Sequence, residues 1–286
     1  MDQRIINLFD EYTHKPLSRE EFIKKLTLLT GSTAAAMAAL PLLEINYANA
    51  ATVSLQDERL FTEYVNYAGE AGDTMSAYVA RPKQKKKYAA VMVIHENRGL
   101  NAHIEDVTRR MALEGFLAFA PNALAPLGGT PEDADKAREL FQKLDAKKTI
   151  ANFAQGFNYL KTRKDCNGKF GCIGFCWGGA MANNMAVHVP SLLAAVPYYG
   201  RQADAADVHK IKAALLLHYA EMDERVNAGI PAYEEALKAA GVNYTIHMYP
   251  GAQHAFNNDT APTRYNAEAA QIAWSRTIAF LKEKLR

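Results

Sequence analysis

Lys169-Phe170-Gly171-Cys172-Ile173-Gly174-Phe175-Cys176-Trp177-Gly178-Gly179 reads as an apolar strand running into a glycine-rich turn, and the Ala/Met/Asn-rich stretch from Ala180 onward reads as a helix. A glycine two residues before and two residues after a nucleophile, between a strand and a helix, is the pattern that sets the nucleophile on a tight turn. The glycines are needed because side chains at those positions would collide, and the nucleophile itself takes a strained backbone conformation. Cys176 stands where a serine is usual, so the predicted chemistry runs through a thiolate. Cys172, inside the strand, reads instead as a small buried hydrophobe.

Such a turn calls for a carboxylate and then a histidine further along the chain, each in a loop after a later strand. Ala213–Tyr219 is an apolar strand candidate, followed by the polar loop Ala220-Glu221-Met222-Asp223-Glu224-Arg225. Tyr244–Tyr249 reads as a strand closed by a Pro250-Gly251 turn, and Ala252-Gln253-His254-Ala255-Phe256 follows. The expected set is therefore Cys176 as nucleophile, His254 as base and Asp223 as the group that orients it. Glu221 and Glu224 lie in the same loop and stay open as alternatives to Asp223. Of the other histidines, His95 ends a strand, His103, His188 and His209 fall on helical or connecting segments, and His218 and His247 lie inside strands; His254 follows a last-strand turn.

The chain has 286 residues, 49% hydrophobic and 22% charged, enough to bury a sizeable core. A net charge of +2 and the lack of a basic patch interleaved with aromatics argue against a nucleic-acid partner. Three cysteines without a C-x-x-C or metal-ligand spacing imply neither a disulfide framework nor a metal site, and no cofactor motif stands out. Strand candidates at Met75–Ala80, Ala89–His95, Phe116–Ala120 and Leu192–Tyr198 alternate with helical patterns at Ile104–Glu114, Pro131 to about Arg163, Pro231–Ala240 and Pro262–Leu285. That alternation predicts an α/β fold whose mostly parallel sheet is covered by helices on both faces.

Residues 1–50 differ from the rest and are set apart from a domain spanning 51–286. Leu26–Leu43 carries no charge, follows Lys24-Lys25 and precedes Ala48-Asn49-Ala50, the layout of an export signal. Ser18-Arg19-Glu20-Glu21-Phe22-Ile23-Lys24 resembles a twin-arginine motif in which Glu20 replaces the second arginine. Three readings follow: a signal directing a periplasmic or exported protein, an uncleaved membrane anchor, or a leader retained as a helical extension of a cytoplasmic one. Gly31, the Ser/Thr residues and Pro41 weigh against a firm span.

Over nearly the whole region after residue 50 the chain resembles the dienelactone hydrolase (carboxymethylenebutenolidase) family of the α/β-hydrolase fold, in particular a bacterial subgroup with a leader-like N-terminus. The match is carried by Val93-Ile94-His95-Glu96-Asn97-Arg98-Gly99-Leu100, by Gly174–Gly179, by Pro197-Tyr198-Tyr199-Gly200, by Asp223 and by Gly251–Phe256. The resemblance implies a hydrolase of activated esters or enol-lactones acting through a thioester acyl-enzyme. It also implies that Glu96 lies beside the thiol and that the backbone N–H groups of Asn97 and Trp177 form an oxyanion hole. The family's expected substrate-holding arginines are missing from Pro121–Pro126 and from His254–Asn258, so Arg98, Arg201 and Arg225, each after a strand end, are the candidates to replace them. A small ester or lactone is the expected partner, with a membrane only if the leader is kept as an anchor. A non-catalytic binding protein of the cell envelope and a redox-sensing thiol, with Cys166 or Cys172 as resolving partner, are the competing classes.

Overall fold

Eight strands form one sheet in the order β1-β2-β4-β3-β5-β6-β7-β8. The computed structural model describes residues 1–15, 17–44 and 52–286. The strands are β1 (Leu60–Ala68), β2 (Thr74–Pro82), β3 (Tyr88–Ile94), β4 (Leu117–Pro121), β5 (Cys166–Phe175), β6 (Leu192–Tyr198), β7 (Ala214–Ala220) and β8 (Tyr244–Tyr249). From β4 to β8 every pairing is parallel, whereas β2 runs antiparallel to both β1 and β4. The central strands Tyr-Ala-Ala-Val-Met-Val-Ile (β3) and Ala-Leu-Leu-Leu-His-Tyr-Ala (β7) are buried at every position. Continuous apolar runs of this kind are what a parallel strand covered on both faces requires. β1, an edge strand of mixed burial, has no counterpart in the sequence-based reading.

The helices are α1 (Gln3–His14), α2 (Arg19–Thr30), α3 (Thr33–Leu43), α4 (Ala102–Leu113), α5 (Ala134–Phe141), α6 (Ala146–Thr162), α7 (Trp177–His188), α8 (Glu224–Asn227), α9 (Ile230–Ala239) and α10 (Ala267–Lys284). One face of the sheet packs on α6, α7 and α9 through Phe153, Phe157, Met181, Met185, Tyr233 and Leu237. The other packs on α4 and α10 through Ile104, Val107, Met111, Ala273, Ile278 and Leu281.

The N-terminal helices carry a small core of their own, Leu8, Phe9, Tyr12, Phe22, Leu26, Ala36, Leu40 and Leu43. The stretch read as the apolar part of an export signal lies in α2 and α3. Gly31 ends α2 in the left-handed conformation (φ 80°), and the axis turns by 112° into α3. Among the described residues no single helix is long and apolar enough to cross a membrane; α2 and α3 reach that length only as a bent pair. The expected cleavage residues Ala48-Asn49-Ala50 lie outside the described residues, as does Ala51.

α1 docks on the sheet's carboxyl edge through polar contacts. Tyr12 Oη donates to Asp135 Oδ1 (2.7 Å), Arg138 Nη1 donates to the carbonyls of Tyr12 (2.9 Å) and Leu17 (3.2 Å), and Asn97 Nδ2 donates to the Thr13 carbonyl (2.7 Å). Arg225 Nε donates to Asp10 Oδ2 at 3.1 Å. The Arg138 and Arg264 guanidinium groups lie over the rings of Tyr12 and Phe9 at 4.2 and 5.2 Å.

Close backbone contacts between β3, β5 and α7 leave no room for side chains. A Cβ on Gly178 would stand 2.3 Å from the Ile94 carbonyl oxygen, and one on Gly174 would stand 1.9 Å from the Gly178 carbonyl oxygen. Both obstacles are backbone and cannot rotate away. Gly178→Ala is therefore expected to cost at least about 2 kcal/mol by chemical denaturation.

His95 closes β3 from inside the core. Its Nδ1 lies 2.7 Å from the Glu96 carbonyl, and Nε2 accepts from the Ala123 N–H at 3.0 Å. Burial pushes its pKa down from 6.5 to about 4, and burial drives His218 well below its usual value too. Between about pH 6.5 and 4 the unfolded chain binds the proton that folded His95 refuses. This contribution is complete above pH 6.5 and is lost as pH falls toward 4, by up to ~3 kcal/mol for His95. Urea midpoints are expected to drop between pH 7 and 5, and to drop less in His95→Asn than in the wild type.

Candidate active site

Cys176, Asp223 and His254 come from the ends of β5, β7 and β8 and meet at the sheet's carboxyl edge, next to the point where the chain reverses direction about β3. Cys176 takes φ 56° and ψ −114° between the last residue of β5 and the first of α7. A non-glycine residue there costs of order 1–3 kcal/mol. The neighbouring backbone pins it: the Cys176 N–H donates to the Tyr198 carbonyl (3.0 Å) and its own carbonyl accepts from the Ala180 N–H (3.1 Å).

His254 Nδ1 lies 2.5 Å from Asp223 Oδ2, with both side chains buried. Asp223 Oδ1 accepts from the Val226 N–H at 3.3 Å, so one carboxylate caps α8 and orients the imidazole. Glu221 accepts instead from the Gly251 N–H (2.8 Å), and Glu224 is exposed at the start of α8. Of the three loop acids, Asp223 is the one that meets the histidine. His254 Nε2 is buried and has no hydrogen-bond partner among the described residues. The Tyr199 ring packs edge-on to the imidazole at 5.1 Å.

Glu96 is buried and accepts from Asn258 Nδ2 at 2.7 Å. Asn97 and Trp177 line the same cleft as Cys176. The Trp177 indole stacks on His95 at 5.4 Å and meets Phe141 and Phe153 edge-on, which holds the first turn of α7 in place. The backbone N–H of Trp177 belongs to that first turn, where amides have no partner inside the helix.

The cleft has a volume of about 880 Å³. Arg201 and Arg225 both line it, Arg201 exposed and Arg225 engaged with Asp10. Arg98 does not line it. It borders a separate cavity, which it shares with Phe9 and Tyr12 of α1 and Asp135 of α5. The expectation that Arg98 follows a strand end into the site is corrected accordingly.

A further imidazole, which sequence reading did not single out, reaches Cys176. His14, the last residue of α1, lies with Nε2 3.0 Å from Cys176 Sγ. Its Nδ1 is 2.9 Å from the Asp10 carbonyl and 3.1 Å from Asp10 Oδ1. Burial opposes charge on His14, but the charge of Cys176 and the hydrogen bonds to Asp10 and Cys176 outweigh it and raise its pKa. Asp10 is likewise buried, yet His254, His14 and Arg225 around it hold its carboxyl well below the usual range. The one available signal was the Asp10/His14 spacing of four on an amphipathic helix, which puts both on one face.

Donor atoms of His14, Cys176 and His254 lie within 4.8 Å of one another, a His/Cys set of the kind that takes zinc. Two tetrahedral zinc ligands of this type stand about 3.5 Å apart, whereas His14 and Cys176 are at 3.0 Å, the distance of a direct hydrogen bond. The three are accordingly not assigned as metal ligands.

Residues 75–285 match the model of the Dienelactone hydrolase family. An Escherichia coli protein provisionally named carboxymethylenebutenolidase is 34% identical over 228 residues, covering 74% of this chain and 83% of that protein. A solved structure from Klebsiella pneumoniae, provisionally described as a dienelactone hydrolase, superposes with a TM-score of 0.71 at 28% identity over 78% of this chain and 98% of its own. A dienelactone hydrolase-like promiscuous phosphotriesterase from metagenomic libraries shares the fold, with a TM-score of 0.73 at 22% identity over 80% of this chain and all of its own. With this fold and this match, the chain belongs to the dienelactone hydrolase family and is a hydrolase of carboxylic esters and lactones.

Proposed function

We propose that the enzyme cleaves activated esters or enol-lactones through a Cys176–His254–Asp223 triad and a thioester intermediate. The observation that carries this reading is the buried His254: Nδ1 is held by Asp223 at 2.5 Å, while Nε2 is unpartnered beside the strained Cys176. Asp223 fixes the tautomer that leaves Nε2 able to accept a proton.

The Cys176 thiolate attacks the substrate carbonyl, and the C=O electron pair moves to oxygen, stabilised by the N–H groups of Asn97 and Trp177. Collapse breaks the bond to the leaving oxygen and gives the thioester. His254 then takes a proton from water, the hydroxide adds to the thioester carbon, and the C–S bond breaks to return the thiolate. A thiolate is itself a good leaving group, so forward collapse is favoured when the departing oxygen is stable, as in an enolate. Asn258 Nδ2 holds the buried Glu96 carboxylate, which is not among the residues lining the cleft. Arg201 is one exposed cation of the cleft available to an anionic substituent of the substrate.

A redox-sensing role finds no support in the placement of the other thiols. Cys172 lies four residues back in the same strand and Cys166 ten, so their Cα atoms stand roughly 13 and 30 Å from that of Cys176. A disulfide needs less than about 7 Å.

Wild-type protein incubated with an enol-lactone is expected to show an acyl adduct on Cys176 by mass spectrometry. Cys176→Ala should lack the adduct and lose at least about a thousandfold in turnover. A simple ethyl ester should turn over far more slowly than the enol-lactone. Asp223→Asn is expected to lower kcat by about a hundred- to ten-thousandfold with little change in fold, measured on the same substrate.

A further inference from the structure

We propose that His14 is a second catalytic histidine of this site, which holds the proton of the Cys176 thiol and delivers it to the leaving group, with Asp10 as its positioning residue. The proposal rests on the reading of Cys176 as nucleophile and assigns a function to the N-terminal helix α1.

The geometry repeats the triad's own logic from a different part of the chain. Asp223 Oδ2 holds Nδ1 of His254, and Nδ1 of His14 hydrogen-bonds the Asp10 carbonyl at 2.9 Å with the Asp10 carboxylate 3.1 Å away. Both imidazoles stand at the nucleophile with ring centroids 4.8 Å apart and planes at 82°. The hydrogen bond to Sγ is made by His14, while His254 Nε2 is left without a partner among the described residues. The two rings therefore divide the work: His14 serves the thiol, and His254 is free for water.

Three features make this contact a built one. Asp10 is itself fixed by Arg225, which also lines the cleft. The carbonyl of Thr13, next to His14, accepts from the side chain of Asn97, the residue whose N–H is assigned to the oxyanion hole. Arg138 ties the carbonyls of Tyr12 and Leu17 on either side. Thr13, His14 and Lys15 form part of the cleft wall, so α1 bounds the substrate space without filling it. The charged and titratable groups facing His14 are Asp10 on its own helix and Cys176, His254 and Arg225 on the hydrolase domain. The raised pKa of His14 agrees with a proton kept on its ring.

In this scheme the Sγ–H bond breaks and the proton passes to His14 Nε2, leaving a thiolate and an imidazolium. The thiolate forms the C–S bond with the substrate carbonyl. When the C–O bond to the leaving group breaks, the departing oxygen takes the proton from His14. His254 next removes a proton from the hydrolytic water. The hydroxide adds, the C–S bond breaks, and the acid product leaves. The proton on His254 then passes to the neighbouring His14 to restore the starting pair, while the product acid ionises to solvent.

The test uses the full chain in EDTA, with His14→Ala, His14→Gln and Asp10→Asn compared with the wild type. Two readouts are taken from pH 4 to 9: the rate of Cys176 alkylation by iodoacetamide, and kcat/KM on an enol-lactone. Circular dichroism and thermal melting check the fold of each variant. The wild type is expected to be alkylated readily at pH 5–6. His14→Ala and His14→Gln should lose at least about tenfold at that pH and follow a simple thiol titration, with kcat/KM down about a hundredfold or more. Added imidazole should restore part of the His14→Ala rate, which a merely structural role would not allow. Asp10→Asn, which keeps its shape, should shift both profiles in the same direction by a smaller amount. An unchanged alkylation profile in the His14 and Asp10 variants would overturn the proposal, as would a rise in kcat/KM on removing the imidazole, the mark of a helix that only obstructs. Alkylation reads the His14–Cys176 pair without turnover. Loss of the triad reading, seen as full activity in Cys176→Ala, is thus separable from loss of this one.

Discussion

The strained turn at Cys176 is the constraint on which the rest of the site depends. A residue with positive φ between β5 and α7 is held where α7 lies almost against the backbone of β3, with Gly178 facing the Ile94 carbonyl and Gly174 facing Gly178, and where Tyr198 and Ala180 bond its backbone. This contact sets the Cys176 side chain at the sheet edge, in the cleft wall. It also lays the first-turn amides of α7 beside the loop after β3, where Glu96 and Asn97 sit. Strand ends β7 and β8 then need only place one carboxylate and one imidazole within reach of a point already fixed. Rigid elements, rather than long loops, set the distances, as a site held to fractions of an ångström requires.

Much of this was legible before any coordinates. The apolar runs of β3 and β7, the glycine spacing around Cys176 and the histidine after the last strand are local patterns, and local patterns survive in a sequence. Asp223 could be narrowed only to a loop containing Glu221 and Glu224; backbone partners decide among them, since Gly251 takes Glu221 and the cap of α8 takes Asp223. β1 was missed because an edge strand is partly exposed and lacks the continuous apolar run of its parallel neighbours. Arg98 was misplaced for a related reason. Following a strand end says which edge of the sheet a residue reaches, and nothing about which cavity at that edge its side chain borders.

The largest illegible element was the N-terminal segment. Its composition suits an export signal, and composition carries no record of what a helix packs against. Capping by Asp2, a capping box between Ser18 and Glu21, and the left-handed Gly31 are features of helices built to start and stop at set places. Those features are readable in retrospect, but the meeting of residue 14 with residues 176 and 254 is a tertiary fact that no spacing rule contains.

α1 belongs to the same chain as the thiol it touches, and this has a kinetic meaning. A separate peptide carrying Asp10 and His14 would have to reach the cleft by diffusion and stay there on a handful of polar contacts. Joined by a short chain, the same helix faces its groove at an effective concentration of order millimolar. Its docking can then be weak in absolute terms and still nearly complete. The small core shared by α1, α2 and α3 gives the segment a packed interior of its own, so α1 is shaped by its own neighbours as well as by the cleft it meets.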